Sequence, residues 1–146
     1  MKKIIFTSVF LLTLGFSVSA QNWFTNFEKA KQEATKNNQN IVLVFQGSDW
    51  CAPCMKLNKE IWSNKEFQKL ANNHFVMLQA DFPRKKANKL TEELTTQNAK
   101  LAEIYNSQGF FPLVVVLNSK GEILGKTGYE KTSPSNYFKK LNAFEK

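Results

Sequence analysis

The stretch Trp50-Cys51-Ala52-Pro53-Cys54 closely follows a continuous apolar run, Ile41-Val42-Leu43-Val44-Phe45. Such a run, rich in β-branched residues and too short for a helix, is typical of a strand buried on both faces. A helix is predicted to begin at the cysteines, because Pro53 fits the first helical turn, where a missing N–H leaves nothing unpaired. The sequence therefore predicts a central strand that delivers two cysteines to the start of a helix.

The spacing of the two cysteines indicates redox chemistry. Two intervening residues let the sulfurs of Cys51 and Cys54 meet across the first helical turn, where unpaired N–H groups and the helix dipole stabilise a thiolate on the first sulfur. An inert structural disulfide is the alternative, but closing so small a loop gains little from chain entropy. We therefore interpret Cys51 as the nucleophile, Cys54 as its catalytic partner, and Ala52 and Pro53 as the spacer of the motif.

Outward from this motif, apolar periodicity and turn signals predict the order α-β-α-β-α-β-β-α. Apolar residues at helical spacing predict a first helix from about Trp23 to Lys36. Ser63, followed three residues later by Glu66, predicts a capping box for a helix over 64–72. The other predicted elements are a strand over 75–80, a polar helix over 91–106, hairpin strands over 113–117 and 122–126, and a closing helix with Ser133 as its cap and Pro134 at its first position.

The composition indicates a single domain without a structural zinc site. The chain has 146 residues, of which 42% are hydrophobic and 22% charged, which suits a single hydrophobic core. Two cysteines and one histidine cannot supply the four ligands of a structural zinc site without carboxylates. The sequence therefore predicts no structural zinc site; we also expect no other metal, no dissociable cofactor and a monomer.

The first twenty residues are typical of a signal peptide. Lys2 and Lys3 precede an apolar run over 4–18, and Val18-Ser19-Ala20 offers small residues for cleavage after Ala20. An uncleaved membrane anchor is the alternative, but the run is shorter than the roughly 20 apolar residues that a spanning helix needs. No cysteine for lipid attachment stands at the cleavage point. The sequence thus predicts an exported domain over 21–146, periplasmic or secreted, without stable membrane insertion and in a compartment that can be oxidising.

The positive charge of the chain does not indicate nucleic-acid binding. The formal net charge is +8, but Arg84 is the only arginine, and the lysines are scattered without interleaved aromatic residues. The densest basic cluster is Arg84-Lys85-Lys86 with Lys89. Such a cluster would favour acidic partners or an anionic membrane face.

The motif and the order of elements together resemble the thioredoxin family over nearly all of the chain after residue 20. The resemblance implies an α/β thioredoxin fold with a central mixed sheet of about four strands flanked by helices. It also implies a thiol-disulfide oxidoreductase that acts on exported proteins and exchanges electrons with an unidentified redox partner protein. In Gly109-Phe110-Phe111-Pro112, it implies that Pro112 is cis and lies against the dithiol, and that the Phe111 backbone pairs with substrate. Trp50 stands where the family exposes an aromatic residue to the bound protein.

Three residues depart from the pattern of the family. Phe45 stands where thioredoxins usually bury an aspartate, and Met77 stands where a lysine often neighbours that acid. The resemblance therefore implies an interior near Cys54 that is dry and free of charge, which raises the pKa of the Cys54 thiol. Leu113 replaces the usual threonine after Pro112 and makes the substrate-facing edge more apolar.

The sequence leaves the direction of electron flow open. The Ala-Pro spacer differs by one residue from the Gly-Pro of reducing thioredoxins, which favours a reductase or general disulfide exchanger. One alternative is a binding or chaperone module with an idle dithiol; the intact cysteine pair argues against it. Another is a copper-handling dithiol protein, for which Met55 is poorly placed. The remaining conspicuous side chains are interpreted as structural or solvated, namely Trp23, Asp49, Lys56, Trp62 and His74.

Overall fold

The computed structural model describes residues 21–145, which form a mixed β-sheet with helices on both faces. Helix α2 (Ala52–Leu57) continues without a break into a π-helical turn at Asn58–Trp62. The elements in chain order are β1 (Trp23–Phe24), α1 (Phe27–Asn37), β2 (Asn40–Gln46), α2 (Ala52–Leu57), α3 (Lys65–Ala71), β3 (Phe75–Asp81), α4 (Glu92–Tyr105), β4 (Leu113–Leu117), β5 (Ile123–Thr127) and α5 (Pro134–Ala143).

The strands of the described chain lie in the order β1-β3-β2-β4-β5. Strands β1 and β2 both run parallel to β3, whereas β4 runs antiparallel to β2 and to β5. The thioredoxin fold is confirmed, with one strand more than the four expected. Strand β2 is central, as predicted, and every residue from Ile41 to Phe45 is buried.

The additional strand corrects the prediction that a helix begins at Trp23. Trp23 and Phe24 pair with Met77 and Leu78 of β3. Their side chains pack against opposite layers of the core, as alternate residues of a strand do. Helix α1 begins at Phe27, after the side chain of Asn26 has accepted a hydrogen bond from the Lys29 N–H at 2.9 Å.

The predicted capping box at Ser63 is also wrong. Asn64 is the cap of α3, and its side chain accepts a hydrogen bond from the Glu66 N–H at 2.9 Å. Ser63 instead ends the π-helical turn, with its N–H bonded to the carbonyl of Asn58. Both residue types are good caps, so the neighbouring turn decides between them.

The sheet divides the core into two layers. On one side, Ile41, Leu43 and Phe45 pack against α1 and α4. On the other side, Val42 and Val44 pack against α2, the π-helical turn, α3 and α5. Because side chains alternate along a strand, the α2 helix that carries the cysteines lies over the Val44 side of β2 and not over the Phe45 side.

The hairpin and the closing helix form as predicted. Strands β4 and β5 pair antiparallel around a turn in which Gly121 has a φ of 88°. Ser133 caps α5 by accepting a hydrogen bond from the Asn136 N–H, and Pro134 is the first residue of that helix. The predicted signal peptide lies outside the described residues. Within residues 21–145, no helix combines the length and hydropathy needed to cross a membrane.

Candidate functional site

The two cysteines form a disulfide at the start of α2. Cys51 is the N-cap residue, and its sulfur accepts a hydrogen bond from the Cys54 N–H at 3.3 Å. Both cysteines are about 4% exposed, whereas the spacer residues Ala52 and Pro53 are exposed in the first helical turn. The structure thus places the four residues of the motif as the sequence predicted.

A tight turn between β2 and α2 brings the cysteines to the end of the sheet. The Cys51 N–H donates to the carbonyl of Gly47 at 2.9 Å, and the indole of Trp50 folds back against Gly47. A Cβ on Gly47 would lie 2.2 Å from an indole carbon, so only glycine permits this approach. The carboxylate of Asp81 accepts hydrogen bonds from the N–H and hydroxyl of Ser48, which fastens the turn to the end of β3.

Trp50 is half-buried and held on several sides. Its indole N–H donates to the Phe82 carbonyl at 2.7 Å, and its ring centroid lies 5.3 Å from that of Phe111. The guanidinium of Arg84 lies over the indole, 3.8 Å from the ring centroid. Of the aromatic residues singled out from the sequence, the structure therefore brings Trp50 and Phe111 into one cluster next to Cys51.

The loop before β4 carries the other expected site residues. The Phe111-Pro112 peptide bond is cis, as the resemblance implied, and Pro112 is buried. Phe111 is half-buried between Trp50 and Phe82, whereas the preceding Phe110 is 57% exposed. The loop therefore presents an aromatic side chain to solvent beside the motif cluster.

Sequence reasoning missed the residue that holds this loop. Asn106, only 4% exposed, donates from its amide nitrogen to the Phe110 carbonyl at 2.8 Å and accepts from the Phe110 N–H at 2.9 Å. The Gly109 N–H donates to the backbone carbonyl of Asn106, and Gly109 has a φ of 70°. The sequence does carry a signal for this turn, because an asparagine at the end of a helix, three residues before a glycine, is typical of a hydrogen-bonded turn.

The surroundings of Cys54 differ from the expectation built on Phe45. The Phe45 ring packs in the opposite layer, 6.4 Å from the Phe82 ring, and does not border the pocket beside Cys54. That pocket has a volume of about 340 Å³. Besides Cys54, it is lined by Trp23, Gln46, Ser48, Met55, Asn58, Trp62 and Gln79.

The side chains that line this pocket are thus uncharged, but several of them are polar. The amide nitrogen of Gln46 lies 3.5 Å from the amide oxygen of Gln79 across the β2–β3 pair. Met77 is buried in the same layer and brings no charge. The Gln46–Gln79 amide pair therefore forms the part of the pocket wall that β2 and β3 contribute.

Asp49 is fixed by several hydrogen bonds, whereas the sequence favoured a solvated charge at this position. Its carboxylate accepts hydrogen bonds from the N–H groups of Arg84 and Lys85 and from the side chain of Asn88. These bonds, with that from the Arg84 N–H as the largest influence, hold the pKa of Asp49 at about 2. The basic segment 84–89 is therefore fastened directly to the turn that carries the dithiol.

The other side chains considered from the sequence have structural contacts. His74 lies 2.8 Å from a carboxylate oxygen of Glu145 and packs edge-on against Phe75. Trp23 and Trp62 pack edge to face with ring centroids 5.8 Å apart, and both also line the Cys54 pocket. Across residues 21–145, no group of three or more His, Cys, Asp or Glu side chains is arranged to hold a metal ion.

Comparison with known proteins gives the same assignment as the geometry. The family model described as "Thioredoxin-like" matches residues 22–119. The chain belongs to the thioredoxin-like family. Disulfide bond reductase DsbH of Chlamydia pneumoniae is 31% identical to this thioredoxin-like chain over 118 residues, which cover 81% of the chain and 69% of DsbH. Thioredoxin-related protein DsbJ of the same organism is 25% identical over 140 residues, which cover 90% of the chain and 40% of DsbJ.

The solved structures include one that matches nearly the whole chain. The structure titled "DsbH Oxidoreductase" superimposes with a TM-score of 0.80 at 28% sequence identity, covering 94% of this chain and 93% of that one. Family membership and the intact Cys51–Cys54 pair together make the protein a thiol-disulfide oxidoreductase.

Proposed function

We propose that this thioredoxin-like protein is an exported reductase of protein disulfides, in which Cys51 attacks and Cys54 resolves. The observation that carries the proposal is the placement of the pair: Cys51 caps the helix, where its sulfur already accepts a backbone N–H, and Cys54 lies one turn further on. A sulfur at a helix start is stabilised as the thiolate, which is the reactive form.

The exchange proceeds in two steps. The Cys51 thiolate attacks one sulfur of the substrate disulfide, a mixed disulfide forms, and the other substrate sulfur leaves as a thiolate that takes up a proton. Cys54 then loses its proton and attacks the Cys51 sulfur, which releases the second substrate thiol and leaves the Cys51–Cys54 disulfide. The substrate gains two electrons, the enzyme loses two, and a dithiol partner protein restores the reduced pair.

Two observations support the reducing direction. The Ala-Pro spacer between the cysteines differs by one residue from the Gly-Pro of the reducing thioredoxins that the chain resembles. The relative DsbH, which carries reductase in its name, aligns over most of the chain. A general disulfide exchanger uses the same residues and the same two steps, so the reduction potential decides between the two.

The aromatic cluster beside the motif suits an extended polypeptide substrate. We infer that the backbone at Phe111, next to cis Pro112, pairs with the substrate strand, while Trp50 shields the sulfur and contacts the bound chain. The exposed Phe110 adds apolar surface at the same edge. This surface favours unfolded or extended protein segments over small polar disulfides.

The proposed location rests on the sequence of residues 1–20, which is typical of a cleaved signal peptide. Export places the enzyme among proteins that carry disulfides. Mass spectrometry of the protein purified from its own host is expected to show an N-terminus at Gln21 and cysteines without lipid. An intact N-terminus at Met1 would contradict the proposal of export by cleavage.

The test of the catalytic assignment uses trapping with the two single-cysteine variants. Cys54→Ser is expected to accumulate mixed disulfides with exported proteins, because the resolving thiol is missing, whereas Cys51→Ser is expected to trap none. The unchanged protein is expected to reduce insulin in the presence of dithiothreitol, and both variants are expected to lose this activity. Adducts on Cys51→Ser alone would reverse the two roles, and wild-type protein that leaves insulin oxidised would refute the reductase.

A further inference from the structure

A groove that the redox chemistry does not use lies between the segment after β3 and helix α4. Its volume is about 390 Å³, and we refer to it by its first and last lining residues as the 81–99 groove. The apolar part of its wall is formed by Phe82, Pro83, Leu90 and Ala99. A cavity of this size accommodates one or two apolar side chains of a bound peptide.

Four cations surround this apolar wall. Arg84, Lys85, Lys86 and Lys89 all line the 81–99 groove and are all exposed. Among the ion pairs within residues 21–145, none involves any of these four side chains. The four cations outnumber the two carboxylates at the groove, Asp81 and Asp49, so the groove carries a net positive charge.

The acidic groups near the groove are already engaged. Asp81, the one carboxylate in the lining, accepts hydrogen bonds from Ser48 and from the Phe82 N–H. Asp49 binds the backbone of Arg84 and Lys85. Both carboxylates hold the segment through hydrogen bonds with N–H and O–H donors, and the Asp49 charge also interacts with that of Lys85.

The 81–99 groove is continuous with the redox site. Phe82 forms part of the groove wall, and its carbonyl accepts a hydrogen bond from the indole N–H of Trp50. The ring centroids of Phe82 and Phe111 lie 5.4 Å apart. Arg84 lies over the Trp50 ring. Phe82 and Arg84 therefore connect the groove to the aromatic cluster of the redox site.

We propose that the 81–99 groove binds an acidic segment of the substrate protein, with an apolar side chain against Phe82 and Leu90 and flanking carboxylates on the cations. This proposal rests on the proposed function, since the ligand is part of the protein whose disulfide is reduced. It names the substrate class as disulfide-bearing proteins with acidic and apolar residues near the reactive cysteine.

The first test measures binding without redox chemistry. Two short cysteine-free peptides share an apolar centre and differ only in glutamate or lysine flanks, and isothermal titration calorimetry measures their affinity for the oxidised protein. The triple variant Lys85→Gln, Lys86→Gln, Lys89→Gln removes cations from the groove but leaves Arg84 on Trp50. The control triple, Lys29→Gln, Lys36→Gln, Lys139→Gln, removes the same charge from exposed helix positions elsewhere.

The glutamate peptide is expected to bind the wild type more tightly than the lysine peptide. The groove triple is expected to weaken its binding about ten-fold, because it removes three exposed cations that pair with the glutamates, and added salt is expected to act in the same direction. Ala99→Trp, which fills the groove on an exposed helix position and keeps every charge, is expected to weaken binding as well. Equal affinity for the two peptides, an equal loss in both triples, or unchanged binding by Ala99→Trp would each overturn the proposal.

A second test separates this proposal from the proposed function. The same two flanks are attached to a peptide that carries an intramolecular disulfide, and kcat/KM is measured for its reduction. Faster reduction of the acidic peptide by wild type, with the preference lost in the groove triple, supports the proposal. Reduction of both peptides at one rate would overturn the groove as a substrate site and leave the reductase standing, whereas selective binding without any reduction would refute the reductase and leave the groove standing.

Discussion

Replacing Gln46 by glutamate places a carboxylate in the pocket beside Cys54 with almost no change in shape. Gln46 and Cys54 line the same pocket of about 340 Å³, and a separation on the order of 9 Å between the two groups sets the scale of their repulsion. At an effective dielectric constant of about 20, two like charges about 9 Å apart repel by roughly 2 kcal/mol, which is equivalent to more than one pH unit. Gln46→Glu is therefore expected to move the titration of Cys54 upward by about one pH unit.

The assay uses Cys51→Ser as the background, because Cys54 is then the only thiol in the protein. The rate of alkylation by iodoacetamide is measured across pH in this background, with and without Gln46→Glu. Below the titration midpoint, the added carboxylate is expected to slow alkylation about ten-fold, since only the thiolate reacts. The matched control is Gln32→Glu, which adds the same charge on the exposed face of α1 and is expected to leave the curve within a few tenths of a pH unit.

The comparison of these variants tests which side of β2 faces Cys54. Phe45→Asp would place its carboxylate in the layer under α1 and α4, where Phe45 is fully buried, and would chiefly destabilise the fold. Coincident curves for Gln46→Glu and Gln32→Glu would refute the reasoning, because they would show that the amide pocket does not act on the Cys54 thiol.

Three further perturbations have defined outcomes. Asn106→Ala removes both hydrogen bonds to Phe110 and is expected to lower stability to denaturant by about 1–3 kcal/mol and to reduce insulin reduction; full activity would show that the clamp does not position the loop. The pKa of Asp49, about 2, lies below its value in an unfolded chain. The contribution of Asp49 to the free energy of unfolding is therefore complete above about pH 4 and disappears as the pH falls through 2. Amide chemical shifts of Arg84 and Lys85 that change between pH 5 and 4 would contradict this. Tyr137→Phe leaves the Gly128 carbonyl without its 2.8 Å hydroxyl donor and is expected to cost about 1–3 kcal/mol in urea unfolding, whereas an unchanged midpoint would show that water replaces the hydroxyl.

Elements defined by local patterns were predictable from the sequence. Strand β2 is an uninterrupted apolar run, the β4–β5 turn has a glycine where positive φ is needed, and α5 begins with a serine cap followed by proline. Each of these signals lies within a few residues of the element that it specifies. The cysteine pair belongs to the same class, because its function depends on spacing and on the helix that begins there.

Features that depend on distant partners were not predictable in the same way. Strand β1 has two residues, too few to show alternation, and exists because β3 pairs with it more than fifty positions along the chain. Asp49 binds a segment 35 residues away, and the Gln46–Gln79 pair joins two strands. A polar residue in a sequence does not indicate which donor or acceptor the fold will bring to it.

The error at Phe45 has a simple physical origin. Counting back six residues from Cys51 identifies a position in sequence, whereas the facing side chain is set by the alternation of β2 and by the shape of the turn at Gly47. A difference of one residue exchanges the two faces of the sheet. Gln46 and Gln79, and not Phe45, consequently line the pocket beside Cys54.

The reduction potential of the Cys51–Cys54 couple tests the central claim most directly. It is measured by equilibrating the protein with glutathione or dithiothreitol buffers of known ratio and quantifying the free thiols by mass spectrometry. A reductase is expected to have a potential near the roughly −270 mV of thioredoxins, below the roughly −180 mV of disulfide isomerases. A potential near the roughly −120 mV of strong disulfide-forming oxidants would contradict the account, because the reduced pair would then be too stable to donate its electrons to substrate disulfides.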